Sequence, residues 1–438
     1  MLEYIILILF MLILFASIIL DKSIVVALFI NLILLIVYAF IKKYKPKEIF
    51  NMVYTGIKDT QSIVIIFSLI GVITGIWRLS GTISYMIYYG ISFISPKYFY
   101  VGVFIFNSII SFLTGTSFGT ASTAGIVCMS ISNAMNLNPL VTGGAILSGA
   151  VFGDRSSPMS TSALLVATIT STDIYVNLKN MFRTCVIPFI LTIITFQIFN
   201  FNIHSRLNIE SINAIAEVFN FNIFLIIPTL SIVVLSMLKV NLKLNMIISI
   251  VISIVFSIIF QDATLTEILK TLIFGYHIDT PAGELINGGG LTSMIRVCLI
   301  VAISSGYFGF FKNTEILKRI KDEVHYVFTK LPDMLVISVL SILISVFSSN
   351  QTLSIMLTYE MARESYKDKE KFALELENSA VITHIYIPWN IGGRTQIEMI
   401  GAPILALYFS FYHHYLVLVN TAFSIVEFMK NKRSLSEA

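Results

Sequence analysis

Charge is scarce in this sequence. Of 438 residues only 12% are Asp, Glu, Lys or Arg, against about a quarter in soluble domains, while 56% are apolar. So few charges cannot cover a water-facing surface, so the solvent for most of the chain is lipid. Cysteine is equally sparse. Cys128, Cys185 and Cys298 are scattered through apolar stretches, which excludes a disulfide frame or a thiolate metal cluster and leaves them as small buried residues. No GKS/T phosphate loop, HExxH helix or GxSxG elbow occurs, so ATP-driven pumping and familiar hydrolase chemistry lack support. The chain is not read as an enzyme, and no cofactor is implied. The net charge of +4 says nothing about nucleic acid, which is not an expected partner, because basic residues in a membrane protein report orientation.

What the chain has instead is long apolar runs. Residues 4–20, 24–41, 63–77, 221–238 and 244–260 approach the ~20 residues that cross ~30 Å of hydrocarbon as helix. The first run has no basic leader and no small-residue cleavage site, and is read as a retained helix. Lys42, Lys43, Lys45 and Lys47 follow two runs joined at Asp21 and Lys22; placing these lysines inside puts the N-terminus inside too. Lys179 and Arg183 are inside again, and the poorly basic stretch 200–220 is outside. The next pair of runs turns inside at Lys239 and Lys243, so the second half begins on the opposite side from the first. Lys312, Lys318, Arg319 and Lys321 are inside, as are Lys430, Lys432 and Arg433 at the end. Every basic loop falls on one side.

Between these runs lie interrupted stretches. The first half has a short amphipathic piece near 83–94, a hairpin with its tip at 114–117 and a broken span over 140–172. The second half has a basic amphipathic segment near 312–321, a tip at 348–352 and a broken span over 377–408. Gly, Ser, Thr and Asn are dense there, and backbone groups exposed to lipid cost several kcal/mol each, so such backbone must line a cavity. The intervals from Thr82 to Thr116 and from Thr116 to Asp154 recur, each two residues longer, from Thr314 to Asn350 and from Asn350 to Asn390. The expected fold is an all-α polytopic membrane protein forming one transmembrane domain over 1–438. Its halves, 1–200 and 220–430, form an inverted repeat with about ten transmembrane helices, two of them broken, two re-entrant hairpins and two interfacial helices.

The breaks concentrate the chemistry. The first, from Gly153 to Thr161, places Asp154, Arg155, Ser156 and Ser157 inside an apolar span, where ionisable groups are functional candidates by default. Asp154 can bind a sodium ion or a proton, or can be an ion-pair partner of Arg155, Arg78, Arg296 or Arg394. The first tip offers Thr116 and Ser117, and the second offers Asn350 and Gln351, all hard oxygen donors suited to small alkali cations. The second break adds His384, Trp389, Asn390 and Arg394. His384 can shuttle protons or bond between helices, and the place of Trp389 beside the break argues for cavity lining over an interfacial anchor. His413 and His414 are read as a solvated outer turn, and Glu377 as an end charge near Lys369 and Lys371.

The run from Ser148 to Ser160 resembles the NhaC signature SGA-x-x-GD-x-x-SP-x-S. Shorter pieces are similar to the same family in the same order: Ser80 to Ile83, Ile87 to Gly90, Gly115 to Thr120, Asn287 to Leu291 with Ser293 and Met294, and Ile387 to Asn390 with Gly392. The resemblance to the NhaC-type sodium/proton antiporter family spans roughly residues 50–415. It implies antiport of sodium or a similar small cation against protons in the bacterial plasma membrane. Relatives that exchange malate and lactate imply an alternative, a coupled organic-acid or amino-acid exchanger. The implied partners are membrane lipid, protons and the small solute, with a homodimer as an allowed assembly. Departures from the family pattern are Thr161-Ser162 where the family has Asp-Thr, Asn177 and Asn180 where it has a histidine, and Glu377-Asn378 for its Glu-Asp pair. With one carboxylate fewer at the break, Arg155, Asp173, Arg394 and His384 remain as coupling or charge-balancing candidates.

Overall fold

The computed structural model describes residues 2–437 apart from 21, 60, 94, 202–208, 239, 314–319 and 349. Asp21, Lys239, Thr314, Lys318, Arg319 and Ser349, used in the charge and spacing arguments, therefore lie outside the described residues. Helix dominates, and the described residues contain no strand beyond one isolated bridge between Tyr276 and Gly288.

Two helices, α1 (Leu2–Ile19) and α2 (Ile24–Ile41), are followed by amphipathic α3 (Pro46–Asp59), apolar α4 (Gln61–Leu79) and short α5 (Thr82–Phe93). A hairpin comes next, its first arm α6 (Phe99–Thr114) and its second α7 (Ser117–Thr120), which runs through a wide turn into α8 (Ile126–Ala134). A broken helix, α9 (Pro139–Ser156) and α10 (Thr161–Thr170), leads to α11 (Ile174–Phe201). After α12 (Ile209–Val218) the same succession of elements returns. The pair α13 (Ile227–Met237) and α14 (Leu242–Gln261) precedes amphipathic α15 (Leu265–Phe274), and a turn through α16 (Gly283–Ile286) leads to α17 (Ile295–Asn313) and short α18 (Ile320–Phe328). The second hairpin is α19 (Asp333–Phe347) with α20 (Gln351–Ala362). The second broken helix is α21 (Lys369–Asn378), α22 (Ala380–Thr383) and α23 (Ile391–Ile400), and α24 (Phe411–Glu437) closes the chain.

The burial pattern is that of a protein in lipid. Helix α14 buries Asn245, Ser249, Ser253 and Ser257 while exposing Leu244, Ile247, Val251 and Val255. In water that face would be reversed; against hydrocarbon the hydroxyls find partners only inside, as Ser249 does by accepting from Trp77 Nε1 at 3.0 Å and donating to the Pro228 carbonyl at 2.7 Å. Among the described residues six helices are long and apolar enough to cross a membrane, and three shorter ones are apolar. The chain is an all-α polytopic membrane protein. One of the six is α6 with its preceding turn, Pro96–Thr114. The first arm of that hairpin thus has a full span's length, whereas the corresponding arm α19 has 15 residues.

Some single-residue expectations change. His413, read as solvated, is fully buried at the start of α24, its ring bonded to Ser410 Oγ. Trp389 is buried, but against Phe15 and with its N–H on the Val346 carbonyl at 2.9 Å, so it packs between helices instead of lining a cavity. Glu377 is fully buried. Helix α21 starts at an exposed cap, Asp368, and runs inward, so eight residues carry Glu377 about 12 Å from that end.

The tightest packing joins α6 to α9 through glycine. A Cβ at Gly153 would meet the backbone of Ser111 and Phe112, whereas one at Gly102 meets nothing within 4 Å. Gly153→Ala is expected to destabilise the fold by about 1–3 kcal/mol through overpacking. Gly102→Ala should be neutral or slightly stabilising; thermal unfolding in detergent measures both.

Candidate functional site

Two hairpin tips and two breaks each begin a new helix, and each beginning is capped by a polar side chain. Gly115 turns the chain at φ 66, and Thr116 then caps α7, its Oγ1 accepting from Gly119 N at 3.3 Å. Asn350 caps α20 by accepting from Leu353 N at 2.9 Å. At the breaks, Ser160 Oγ accepts from Ala163 N at 3.3 Å to cap α10, and Asn390 Oδ1 accepts from Gly392 N at 3.0 Å to cap α23. These are the residue types that satisfy the orphan donors of a helix start. Tips and breaks also hold each other. Asn390 Nδ2 donates to the carbonyls of Ser345 and Ser348 at 3.2 and 2.7 Å, and Gly115 packs on the Met159 backbone.

The first residues of all four helices line one cavity of about 350 Å³: Thr116 and Ser117, Asn350 and Gln351, Thr161, and Ile391 with Gly392. Each helix start is the positive end of its dipole. Asp154, near the end of α9, is the acidic residue of the lining and is only 4% exposed. Its Oδ2 accepts from Ser117 Oγ at 3.3 Å and Gln351 Nε2 at 3.1 Å, and its Oδ1 from Ser160 Oγ at 3.4 Å. All three donors are neutral. Gln351 also donates to the Val381 carbonyl at 2.9 Å, and Gln396 Nε2 donates to Ser117 Oγ at 3.4 Å, so both halves of the chain share the carboxylate's surroundings. A second cavity of about 620 Å³ shares Thr116 and Thr161 with the first and reaches Asn241 and Lys243 at the turn between α13 and α14. Lys243 donates to Ser62 at the start of α4 at 3.0 Å.

Arg155 follows Asp154 but faces elsewhere. Its fully buried guanidinium donates to the Glu377 and Met181 carbonyls at 3.2 and 3.4 Å, to Ser156 Oγ at 3.2 Å, to Thr184 Oγ1 at 3.1 Å and to Asn378 Oδ1 at 2.5 Å. It therefore ties α9 to α11 and α21, and it does not donate to Asp154. Ser156 belongs to this cluster, and Ser157 is a buried turn residue that accepts from Met159 N at 3.2 Å.

The structure thus brings Asp154, Thr116, Ser117, Asn350 and Gln351 to one cavity and puts Asn390 directly behind it. His384 is buried against Gly392, one layer from the lining. Arg394 pairs with Glu398 at 2.8 Å on its own helix, and exposed Asp173 accepts from Tyr175 and Val176 N at 2.8 and 3.1 Å at the start of α11. Neither joins the lining. Sequence reasoning passed over Gln396, a buried amide between two glycines and a glutamate, and used Thr161 only as a departure from a family pattern. Thr161 occupies the cavity wall.

Residues 2–173 and 149–396 match a family model described as the Na+/H+ antiporter family. The chain is similar to the Malate-2H(+)/Na(+)-lactate antiporter of Bacillus subtilis, 26% identical over 398 residues that cover 88% of this chain and 85% of the relative. It is similar to the Na(+)/H(+) antiporter NhaC of Alkalihalophilus pseudofirmus at 24% identity, covering 80% of this chain and 78% of the relative. The arginine/ornithine antiporter ArcD of Halobacterium salinarum is 22% identical, with 83% and 78% covered.

Asn390→Ala removes a cap and leaves two hairpin carbonyls without their donor. It is expected to cost about 1–3 kcal/mol, read as a lower unfolding temperature in detergent.

Proposed function

This chain belongs to the Na+/H+ antiporter family, and from that premise we propose that it is a secondary active antiporter exchanging sodium, or a similar small cation, for protons by alternating access. The observation that carries the reading is Asp154: one acidic side chain held by neutral donors in a cavity walled by four helix starts. While it is ionised, the cavity offers a cation one full negative charge with hydroxyl and amide oxygens around it. Once it is protonated, only the positive ends of four dipoles face the cavity, and a cation is repelled. Occupancy by cation and by proton are then mutually exclusive. Thr116, Ser117, Asn350 and Gln351 supply or position ligand oxygens, and Asn390 fixes the second break against the tip.

The residues 1–200 and 220–430 form the two inverted halves, a reading supported by the matching order of elements. The basic loops face the cytoplasm of a bacterial cell, as do both termini. Lys42 bonded to Glu3 at 2.5 Å and Lys243 bonded to Ser62 support this, since each pair joins segments that the charge pattern puts at one end. On that orientation the cavity that reaches Lys243 opens to the cytoplasm. Membrane lipid surrounds the exposed apolar faces, and a homodimer is compatible with them.

A second reading is favoured by the size of the cavity and by its helix starts and amide donors, which suit a carboxylate as the transported group. One similar protein carries malate and lactate in its name. The test is proteoliposomes holding a pH-sensitive dye. Sodium is expected to drive proton movement with the wild type and not with Asp154→Asn; undiminished movement in that variant removes Asp154 from its role. A response to malate, lactate or amino acids in place of sodium selects the second reading, and conductance without coupling removes both. Thr161→Asp, which adds a second carboxylate to the wall, is expected to tighten sodium binding, measured by the sodium concentration that half-saturates the rise in unfolding temperature.

A further inference from the structure

The cavity accounts for Asp154 but leaves another carboxyl unused. Glu377 is fully buried, and neither of its carboxyl oxygens has a hydrogen-bond partner, although its own backbone carbonyl accepts from Arg155. A carboxyl without donors in such a place is suited to holding a proton, because nothing there stabilises the ionised form except a nearby cation. The charged groups that act on it are Arg155 and Asp154, both on α9.

The other elements packed against α21 bring little charge to this point. Helices α10 and α22 carry no titratable residue. Helix α11 brings the Cys185 thiol beside Arg155, and α24 brings the Tyr412 phenol to the same guanidinium. The remaining ionisable groups gather further along α21. Lys371 is held by Asp333 of α19 at 2.7 Å and lies 3.9 Å from Glu375, which also receives the Tyr366 hydroxyl and faces Glu427 of α24. From α20, Tyr359 stacks on Phe372 and Glu360 is exposed beside Arg363.

We propose that Glu377 is a second proton-binding site, separate from the cavity carboxylate, and that it releases its proton when a cation arrives at Asp154. A buried core resists net charge. With Asp154 ionised, Arg155 charged and Glu377 protonated, the three groups sum to zero. A sodium ion in the cavity adds one positive charge, and departure of the Glu377 proton removes one. A proton then leaves a carboxyl other than the one that takes the cation, in addition to any displaced from Asp154, the two joined by the charge balance around Arg155. A cleft separate from the cavity approaches this carboxyl. It measures about 210 Å³, is lined by Glu375, Asn378, Lys371 and Glu427, reaches the residue next to Glu377 and shares no lining residue with the cation cavity.

This inference rests on the cation reading of the cavity, and calorimetry separates the two. Sodium is titrated into purified protein in two buffers of different ionisation enthalpy, which counts the protons released per ion bound. The wild type is expected to release about one proton more per sodium than Glu377→Gln, with that proton restored in Glu377→Asp. Undiminished release in Glu377→Gln overturns the inference and returns the exchange to Asp154 alone. A wild type that binds no sodium overturns the cation reading and the coupling built on it. The protonation of Glu377 is checked without sodium by infrared spectroscopy near neutral pH. The difference between wild type and Glu377→Gln is expected to show a carboxylic-acid band, replaced by a carboxylate band when the comparison is made in an Asp154→Asn background, where Arg155 is left for Glu377 to balance; a carboxylate band in the wild-type background overturns the proposal.

Discussion

Unwound backbone inside an apolar slab must find its hydrogen-bond partners within the protein, and this constraint shapes the centre of the molecule. Two hairpin tips and two helix breaks leave four helix starts, each with orphan donors. Thr116, Ser160, Asn350 and Asn390 satisfy part of that demand locally. The rest is met by bringing tips and breaks together, as when Asn390 spans to the Ser345 and Ser348 carbonyls. A polar cavity is the by-product of that mutual satisfaction. Because every capped end is a helix N-terminus, the cavity is electropositive until a carboxylate is added to it.

Asp154 and Arg155 show how helical geometry divides adjacent charges. Successive residues in an α-helix are turned by about 100°, so two neighbours cannot face the same partner. Asp154 looks into the cavity and Arg155 looks toward α11 and α21, where all its acceptors are neutral. The guanidinium is thus fully hydrogen-bonded while its charge is left to be balanced by carboxyls that it does not directly grip. That separation keeps Asp154 available to a ligand, and it is also what gives the buried Glu377 carboxyl a charge to answer.

Much of the candidate site was legible because polar residues in an apolar run stand out. Asp154, the Thr116-Ser117 tip, the Asn350-Gln351 tip and Asn390 interrupt stretches that otherwise read as lipid-embedded helix, and the structure gathers them around one cavity. The errors have a common cause. Glu377 lies a few residues from Lys369 and Lys371, and His413 lies beside His414 at the start of a helix, so proximity along the chain suggested a wet end in both cases. Depth depends on the direction in which a helix runs from its exposed cap, and neighbouring sequence does not carry that direction. Trp389 was misjudged for a related reason. It sits at the break, but its indole turns to Phe15 on a helix more than three hundred residues earlier.

The sequence by itself determined the solvent, the helical class and the positions where helices must stop, because these follow from composition, run length and local backbone chemistry. Only the tertiary structure decided which of the stopping points meet, which carboxyls share a core and which way each charged side chain faces. Those outcomes depend on contacts between segments far apart in the chain, where one turn of helix exchanges a cavity-facing group for a packed one.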